Sequence, residues 1–430
     1  MNSKDVKLNP FSPEVIASPW EFFEQLRERA PVYALPNNAY YLVSRYQDVK
    51  AIALDTETYS SNLVSVMMST NADNASGKPP EMLNLSGGEG QKAQATDVLA
   101  IADPPQHTRQ RRVANRAFTM RRVANMEQRI AALCNELLSD IKSEEFDWVK
   151  QFAAPLPLII IMELIGFPLA DRAKLKRWSD ASVALLSGIN TPEELMAHGE
   201  QINQLIAYLA EHYDRAFESP GDNLLGDLIA ESKLDDQQFG RDEIVSMLVQ
   251  LLSAGNETTA SLVGSGMLML CQDKSLQSEL RQNPDKISAF VEEVLRLESP
   301  FHGHFRLVKK DHILHGVELK AGDRLMLMWS STGRDADQFE SPLTVKLNRQ
   351  KPKSHLAFGY GIHHCIGAAL SRAEARIAFE TVLVNSKNLE LIRKSLNDRG
   401  FRVPLIADIH FTPNAAEVAA GIVEKVRINP

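Results

Sequence analysis

The stretch FGYGIHHCIG, residues 358 to 367, places one cysteine, two adjacent histidines and three glycines within ten residues. A thiol beside imidazoles is typical of a metal site or of a redox-active cysteine. Glycines around it are typical of a tight turn, because glycine tolerates backbone conformations that other residues avoid. The stretch alone leaves these three interpretations open.

Composition narrows the class of protein. The chain has 430 residues, of which 44% are hydrophobic and 24% charged, as in ordinary globular proteins. Its net charge of -8 argues against nucleic-acid binding, because neutralising phosphates requires an excess of basic residues. Three cysteines far apart in sequence favour a reducing cytoplasmic compartment over a disulfide scaffold. The most apolar run, 152–161, is shorter than the ~20 residues that cross a bilayer, so no membrane segment is expected.

Helical periodicity dominates from residue 103 to about 290 and returns after the opening stretch. The predicted helices include 108–141, the unusually apolar 240–273, and 366–385. At about 1.5 Å per residue, about 30 apolar residues cross a whole domain, so 240–273 is predicted to be central and buried. Short strand-like runs are predicted at 32–36, 39–44, 312–319 and 323–329.

The predicted central helix carries a polar patch, AGNETT at residues 254 to 259. Glycine costs about 1 kcal/mol relative to alanine inside a helix, and a buried carboxylate is costly unless it is paired. One interpretation places Glu257 in solvent and assigns Gly255 to close helix packing. The other makes Gly255 a space for a large group against the helix, with Thr258 and Glu257 as a proton path beside it.

Two further pairs fall at helical spacing. Glu293 and Arg296 are at i,i+3 and share a helical face, where an ordinary surface ion pair would contribute little. His107 and Arg111 are at i,i+4 after Asp103, which is predicted to cap their helix. The second pair suits the binding of an anionic group, although an exposed charged face has the same pattern.

Residues 62 to 100 interrupt the helical pattern with a polar segment that contains Gly-Gly and Pro-Pro pairs. A loop of this length inside a compact domain is usually functional or disordered. Met67, Met68 and Met82 suit an irregular apolar cavity, which favours a substrate lid over a surface insertion.

Taken together, the motifs make the chain similar to the cytochrome P450 family, the haem-thiolate monooxygenases, and to its soluble bacterial type. The resemblance runs from about residue 10 to about residue 391. It rests on four motifs in the family's order, which are DPPQHTRQR (103–111), AGNETT, the pair Glu293 and Arg296, and FGYGIHHCIG. It implies a single haem domain over 1–430 that is mainly α-helical, with a large helical body around the haem and small β-sheets at its edges.

The resemblance implies how haem b would be held. Cys365 would be the thiolate ligand of the iron, and Phe358 would pack beside the ring. The loop glycines, among them Gly367, would let backbone N–H groups turn toward the sulfur. Charge-assisted hydrogen bonds to the haem propionates would come from His107, Arg111, Arg306 and His363. His364 receives no role.

The resemblance also assigns the polar patch of the central helix. Thr258 and Glu257 would deliver protons where dioxygen is activated, and Ala254 and Gly255 would leave space there. The Glu293 and Arg296 pair would be structural, with no part in the chemistry.

The implied activity is insertion of one atom of O2 into a small lipophilic substrate, by hydroxylation or oxidative demethylation. Electrons would come from NAD(P)H through a ferredoxin reductase and a separate ferredoxin, since no fused reductase is expected. A basic docking patch for this donor is predicted from Arg111, Arg112, Arg116, Arg121, Arg122, Arg372 and Arg376. The alternatives are an H2O2-driven peroxygenase and a non-catalytic haem-thiolate sensor, and the Glu257 and Thr258 pair disfavours both.

The substrate pocket is predicted to be mainly apolar. Its candidate walls are Met67, Met68, Met82, Leu185, Leu251, Phe301, His302 and His304. The two histidines either hydrogen-bond a polar group of the substrate or point away from the pocket. One departure from the family pattern is GRDA at 333–336, where Asn-Arg-Asp-Pro is usual.

Overall fold

Helices form most of the molecule. The computed structural model of the chain describes residues 12–35, 40–62, 99–142, 146–186, 191–234, 239–398, 406–410 and 425–429. Along these ranges the α-helices are α1 (Pro13–Ala17), α2 (Trp20–Arg29), α3 (Tyr46–Leu54), α4 (Gln106–Ala117), α5 (Met120–Asp140), α6 (Pro155–Ile165), α7 (Arg172–Leu186), α8 (Pro192–Glu218), α9 (Leu224–Lys233), α10 (Arg241–Gln272), α11 (Lys274–Gln282), α12 (Ile287–Leu297), α13 (Trp329–Thr332) and α14 (Ala368–Asp398).

The strands are short and form small sheets. They are β1 (Val32–Ala34), β2 (Tyr41–Val43), β3 (Tyr59–Ser60), β4 (His304–Val308), β5 (His312–Leu314), β6 (Val317–Leu319), β7 (Arg324–Leu327), β8 (Ile406–His410) and β9 (Lys425–Asn429). A five-stranded sheet has the order β1-β2-β7-β4-β3, in which only β2 and β7 run parallel. β5 pairs with β6 antiparallel, and β8 pairs with β9 parallel. The predicted mainly helical fold with small sheets is confirmed.

Helix α10 is the central element, and α6, α7, α8 and α14 pack against it within the main hydrophobic core. Its start is fixed by Glu243, whose carboxylate accepts the Gly240 N–H at 3.0 Å. The same carboxylate accepts Gln106 Nε2 at 2.9 Å and pairs with Arg109, both on α4. The polar patch of α10 is thereby held in register with the helix that carries His107 and Arg111.

The apolar run 152–161 lies largely in α6, whose residues are almost all buried. It is a core helix, as its length predicts. In the described part of the chain no helix is both long and apolar enough to cross a membrane.

The helix predicted over 108–141 is divided in two. The break falls at Phe118 and Thr119, because the Thr119 hydroxyl accepts the Arg122 N–H at 3.2 Å and caps a new helix, α5. A Ser/Thr/Asp cap inside a periodic run is easily read as an ordinary helical residue.

The prediction that Asp103 caps α4 is wrong. The helix begins at Gln106, and Pro105 occupies the cap position without a side-chain hydrogen bond. The Asp103 carboxylate instead accepts the Ser61 N–H at 2.8 Å and the Ser60 hydroxyl at 2.5 Å. Asp103 thus connects the start of α4 to the edge strand β3.

Candidate active site

The Cys365 loop is shaped by two glycines in the left-handed region. Gly359 has φ +70° and Gly361 has φ +73°, which side-chain-bearing residues rarely adopt. A Cβ on Gly361 would also stand 2.6 Å from the Ala53 carbonyl oxygen. The Cys365 N–H donates to the Phe358 carbonyl at 2.8 Å, closing the loop just before α14.

Cys365 is exposed in the structure, although protein atoms crowd around its sulfur. Burial raises its pKa, and this rise is opposed by the backbone N–H groups of Gly367 and Ala368 and by the charges of Arg111 and Arg372. Hydrogen-bond donors and positive charges around a sulfur stabilise its thiolate form. A Cβ at Gly367 would lie 3.9 Å from Sγ, an ordinary contact, so the N–H at this position matters more than the missing side chain.

Basic side chains from three distant segments converge beside this loop. His107 on α4 is buried, and its ring centroid lies 4.2 Å from that of His363 in the cysteine loop. Arg111 and Arg306 both act on His363 through their charges. Arg306 is buried on β4 and donates to the Phe305 carbonyl at 2.8 Å.

The cluster has the electrostatics of an anion site. Burial and neighbouring positive charge lower the pKa of His107 to about 4 and that of His363 to about 2. Burial lowers the pKa of Arg306 to about 10. Among the described residues, Nε2 of His107 and Nε2 of His363 are buried nitrogens without a hydrogen-bond partner. Positive charge that Asp103 offsets only in part, together with imidazole nitrogens that lack partners, favours carboxylates as the bound group.

His304 joins this cluster. Trp329 Nε1 donates to its Nδ1 at 2.7 Å, so the ring proton must sit on Nε2. Burial and the charge of Arg306 lower the His304 pKa to about 3, which keeps the ring neutral. His302 is held by the same short helix, α13, through Ser330 Oγ at 3.2 Å. His304 therefore presents one fixed N–H donor near the basic groups.

The polar patch of α10 faces an open side of the helix. Ala254 is exposed although it lies midway along this central helix, and Thr258 donates its hydroxyl hydrogen to the Ala254 carbonyl at 2.7 Å. Glu257 is half-buried and touches Asp180 of α7, whose carboxylate is paired with Lys176. Burial, and then the Asp180 charge, raise the Glu257 pKa. A carboxyl group with a raised pKa is suited to passing protons near neutral pH.

Gly255 has ordinary space around it. A Cβ there would come no closer than 3.9 Å to Ile161, so the structure shows no backbone or side chain that excludes an alanine.

Glu293 and Arg296 form a buried network and are no surface pair. Arg296 donates to both Glu293 oxygens, at 2.7 and 2.8 Å, and also to the carbonyls of Gly333 and Thr344 at 2.7 and 2.9 Å. Arg349 adds a third bond to Glu293 at 2.7 Å. Although burial opposes ionisation, these donors lower the Glu293 pKa.

Several candidate pocket residues can be placed and others cannot. Met67, Met68 and Met82, with nearly all of the 62–100 segment, lie outside the described residues. Leu185 on α7 and Leu251 on α10 are half-buried, and Phe301 is exposed with its ring 4.4 Å from His304. His364 is exposed, and its ring centroid lies 6.4 Å from that of Phe358.

Sequence reasoning missed two buried carboxyl groups. Glu292 binds Arg372 and His355, and Glu374 on α14 is buried with one oxygen unpartnered. The signal for Glu292 was an acidic pair, Glu292-Glu293, in a helix too apolar to be exposed. Nothing in the local sequence distinguished Glu374.

Comparison with known proteins decides the family. Cytochrome P450 144 from Mycobacterium tuberculosis (strain ATCC 25618 / H37Rv) is 36% identical over 381 residues, covering 88% of this chain and 85% of the relative. The chain belongs to the cytochrome P450 family. The sequence profile described as cytochrome P450 matches residues 182–391.

Other P450 relatives cover nearly the whole chain. Vitamin D(3) 25-hydroxylase from Pseudonocardia autotrophica is 31% identical over 385 residues, 89% of each chain. The crystal structure of CYP109E1 from Bacillus megaterium in complex with testosterone superposes with a TM-score of 0.74 at 30% identity, covering 87% of this chain and 92% of that one. P450 enzymes are monooxygenases with a haem cofactor, and they use redox partners, O2 and an organic substrate.

The residues present fit the haem of a P450. The backbone N–H groups and arginine charges around Cys365 suit a thiolate ligand. The buried Nε2 atoms of His107 and His363 lack hydrogen-bond partners and suit the two carboxylates of the porphyrin. Arg111 and Arg306 supply the compensating charge. The basic cluster, the cysteine loop and the exposed side of α10 are the three parts that a haem pocket requires.

Proposed function

We propose that this P450 is a ferredoxin-dependent monooxygenase of a lipophilic small molecule, with haem b held by Cys365. The observation that carries the proposal is the convergence of the Cys365 loop with a basic cluster whose two imidazole nitrogens lack partners. Haem ligated by a thiolate supplies O2 activation, since the sulfur donates electron density to the iron.

The protein's own groups hold the cofactor. His107, Arg111, Arg306 and His363 would bind the propionates, and His304 would offer its fixed Nε2–H near Arg306 and His363. Bound carboxylates compensate the positive charge that lowers the pKa of these imidazoles. Phe358 would pack beside the ring, and the Gly367 N–H would tune the sulfur as the ligand of the iron.

Proton delivery is assigned to the polar patch of α10. Glu257, with its raised pKa, takes a proton from the Asp180 and Lys176 side and passes it toward Thr258. The Thr258 hydroxyl, now bonded to the Ala254 carbonyl, accepts that proton and donates its own into the site. Ala254 and Gly255 carry almost no side chain, so they leave space on this side of the helix.

The substrate is proposed to be lipophilic, such as a steroid, terpenoid or fatty acyl compound. Leu185, Leu251 and Phe301 give the described walls an apolar character, and segment 62–100 is proposed as the lid. Relatives named for vitamin D(3) and crystallised with testosterone act on or bind hydrophobic molecules of this class. Hydroxylation or oxidative demethylation follows from the same chemistry.

A separate ferredoxin, reduced by NAD(P)H through its reductase, is proposed as the electron donor. The predicted basic patch is partly neutralised, because its arginines pair with acidic neighbours. The pairs are Arg116 with Glu231, Arg122 with Asp227, Arg372 with Glu292, and Arg376 with Glu127 and Glu380. Arg112 and Arg121 are exposed, which makes both of them candidates for docking.

The test is the spectrum of the purified, reduced protein under carbon monoxide. Wild type and Cys271→Ala should show the Soret band of a thiolate-ligated ferrous complex, because Cys271 is distant in sequence from the loop and exposed. Cys365→Ala should lose that band completely. A Cys365→Ala protein that keeps the band contradicts the assignment. A low-to-high spin shift on adding lipophilic compounds then identifies the substrate class.

A further inference from the structure

The carboxylate of Glu292 binds Arg372, whereas that of its neighbour Glu293 binds Arg296. Arg372 of α14 donates to Glu292 through Nε at 2.7 Å and through Nη2 at 3.1 Å. His355 Nε2 bonds the same carboxylate at 2.9 Å. Glu292 and His355 are both buried, so solvent is largely excluded from the part of the network that these two residues form.

Hydrogen bonds on both ring nitrogens fix the orientation of His355 in this network. The Ala357 N–H donates to His355 Nδ1 at 3.2 Å, so the imidazole proton lies on Nε2 and is donated to Glu292. Burial alone would raise the Glu292 pKa, but the bonds from His355 and Arg372 lower it to about 2. Glu292 is thus a carboxylate at any physiological pH, and Arg372 is its charged partner.

The face of the Arg372 guanidinium covers the ring of Phe358. Its central carbon lies 4.4 Å from the ring centroid. Phe358 is the residue whose carbonyl accepts the Cys365 N–H at 2.8 Å. The charge of Arg372 is also among those that act on the Cys365 sulfur. Arg372 therefore meets the cysteine loop both by stacking and by charge, while its edge is fixed by Glu292.

We propose that Arg372, oriented by Glu292 and His355, is a positioning residue that fixes Phe358 and raises the reduction potential of iron bound to Cys365. The inference rests on the haem-thiolate function proposed above. Reduction adds an electron to the iron and sulfur centre, and a nearby positive charge stabilises the more negative state. Glu292 pairs with Arg372, and its negative charge opposes the rise in the reduction potential.

The experiment measures the haem reduction potential by spectroelectrochemical titration of the full-length holoprotein. Arg372→Met removes the positive charge and should lower the reduction potential by about 59 mV, which corresponds to a roughly tenfold smaller equilibrium constant for the one-electron reduction of ferric to ferrous iron. Glu292→Gln removes the opposing charge and should shift the potential the other way. Arg372→Lys keeps the charge and should stay near the wild-type potential.

Arg376→Met is the matched control. Arg376 lies one turn further along α14 and pairs with Glu127 at 2.8 Å and Glu380 at 2.9 Å. Its removal should leave the potential unchanged.

A lowered potential in Arg372→Met together with a raised potential in Glu292→Gln supports the inference, and the reverse pattern overturns it. An unchanged potential in Arg372→Met, or shifts of the same sign in both variants, overturns it, because a merely structural role predicts no such sign reversal. If Arg372→Met fails to take up haem, a raised potential in Glu292→Gln supports the inference and an unchanged one overturns it.

The carbon monoxide spectrum of wild type separates the two failures. A wild-type protein without the thiolate-type band refutes the haem-thiolate function itself. With that band in place, an unmoved potential refutes only the role of Arg372.

Discussion

At the scale of single residues, the site depends on what surrounds each titratable group. His107, His363 and His304 are kept neutral by burial and by nearby positive charge. Glu292 is kept ionised by two donors, whereas Glu374 on the same core has an oxygen without a partner. Two buried glutamates of one protein therefore differ in charge: Glu292 is ionised, whereas burial favours the protonated form of Glu374.

Glu374 predicts an unusual dependence of stability on pH. Burial raises its pKa to about 8, so the folded protein keeps a proton that the unfolded chain loses near pH 4.5. The folded state then binds more protons, and stability falls as pH rises from about 4.5 to about 8. Glu374→Gln should remove this loss, which is a few kcal/mol at about 1.4 kcal/mol per pKa unit.

Denaturant unfolding of the holoprotein at pH 5 and pH 8 measures the effect. Glu318→Gln, at an exposed position of strand β6, is the control and should keep the wild-type dependence. Parallel pH profiles for Glu374→Gln and wild type would show that the Glu374 carboxyl is solvated or paired.

At the scale of elements, α12 carries both buried acidic networks. Glu293 faces Arg296, Arg349 and the Lys346 N–H, while Glu292 faces α14. Adjacent residues on a helix point about 100° apart, so one helix connects two separate parts of the molecule. The Gly333 and Thr344 carbonyls bound by Arg296 lie in the long irregular segment before the cysteine loop.

Arg296→Met should destabilise the protein by about 3–5 kcal/mol, because Glu293 would remain buried with its main partner removed. The surface pair of Lys286 with Glu279, at 2.7 Å, is the control. Lys286→Met should cost about 0–1 kcal/mol. Urea unfolding followed by circular dichroism compares them, and similar costs for both variants would show that burial of the first pair carries no penalty.

At the scale of the whole molecule, segments distant in sequence meet at one site. His107 on α4, Thr258 on α10, Arg306 on β4 and the cysteine loop belong to different parts of the chain. Glu243 fixes α4 against α10, and α14 continues the loop into the core. The fold thereby brings the basic cluster to the Cys365 loop and packs the helix that carries the polar patch against α14.

The proposed ferredoxin docking concerns the surface that carries the exposed Arg112 and Arg121. Arg112→Glu should slow reduction by ferredoxin several-fold while leaving the carbon monoxide spectrum unchanged, because the residue is exposed. Stopped-flow reduction at low and high salt measures the rate, and the difference should shrink at high salt. Arg215→Glu on α8 is the control, and an equal slowing by both variants would indicate a general effect of net charge.

Much of this could be predicted from the sequence. The helical periodicity located α10 and the buried run of α6, and the motifs around Cys365, Thr258 and His107 named the parts of the site. The helix predictions succeeded because periodicity is a local property, whereas the roles of the motif residues stay predictions. The helix break at Thr119 was missed and Asp103 was wrongly predicted to cap α4, because capping depends on which neighbours fold back onto the backbone.

The sequence by itself determined the family, the cysteine that serves as the candidate ligand and the order of the motifs. Only the tertiary structure decided the pairings. It buried the Glu293 and Arg296 pair, brought His304 to the basic cluster, and set Arg372 between Glu292 and Phe358. The physical reason is that charge state and hydrogen-bond partner depend on burial and on contacts between distant segments, which no local pattern contains.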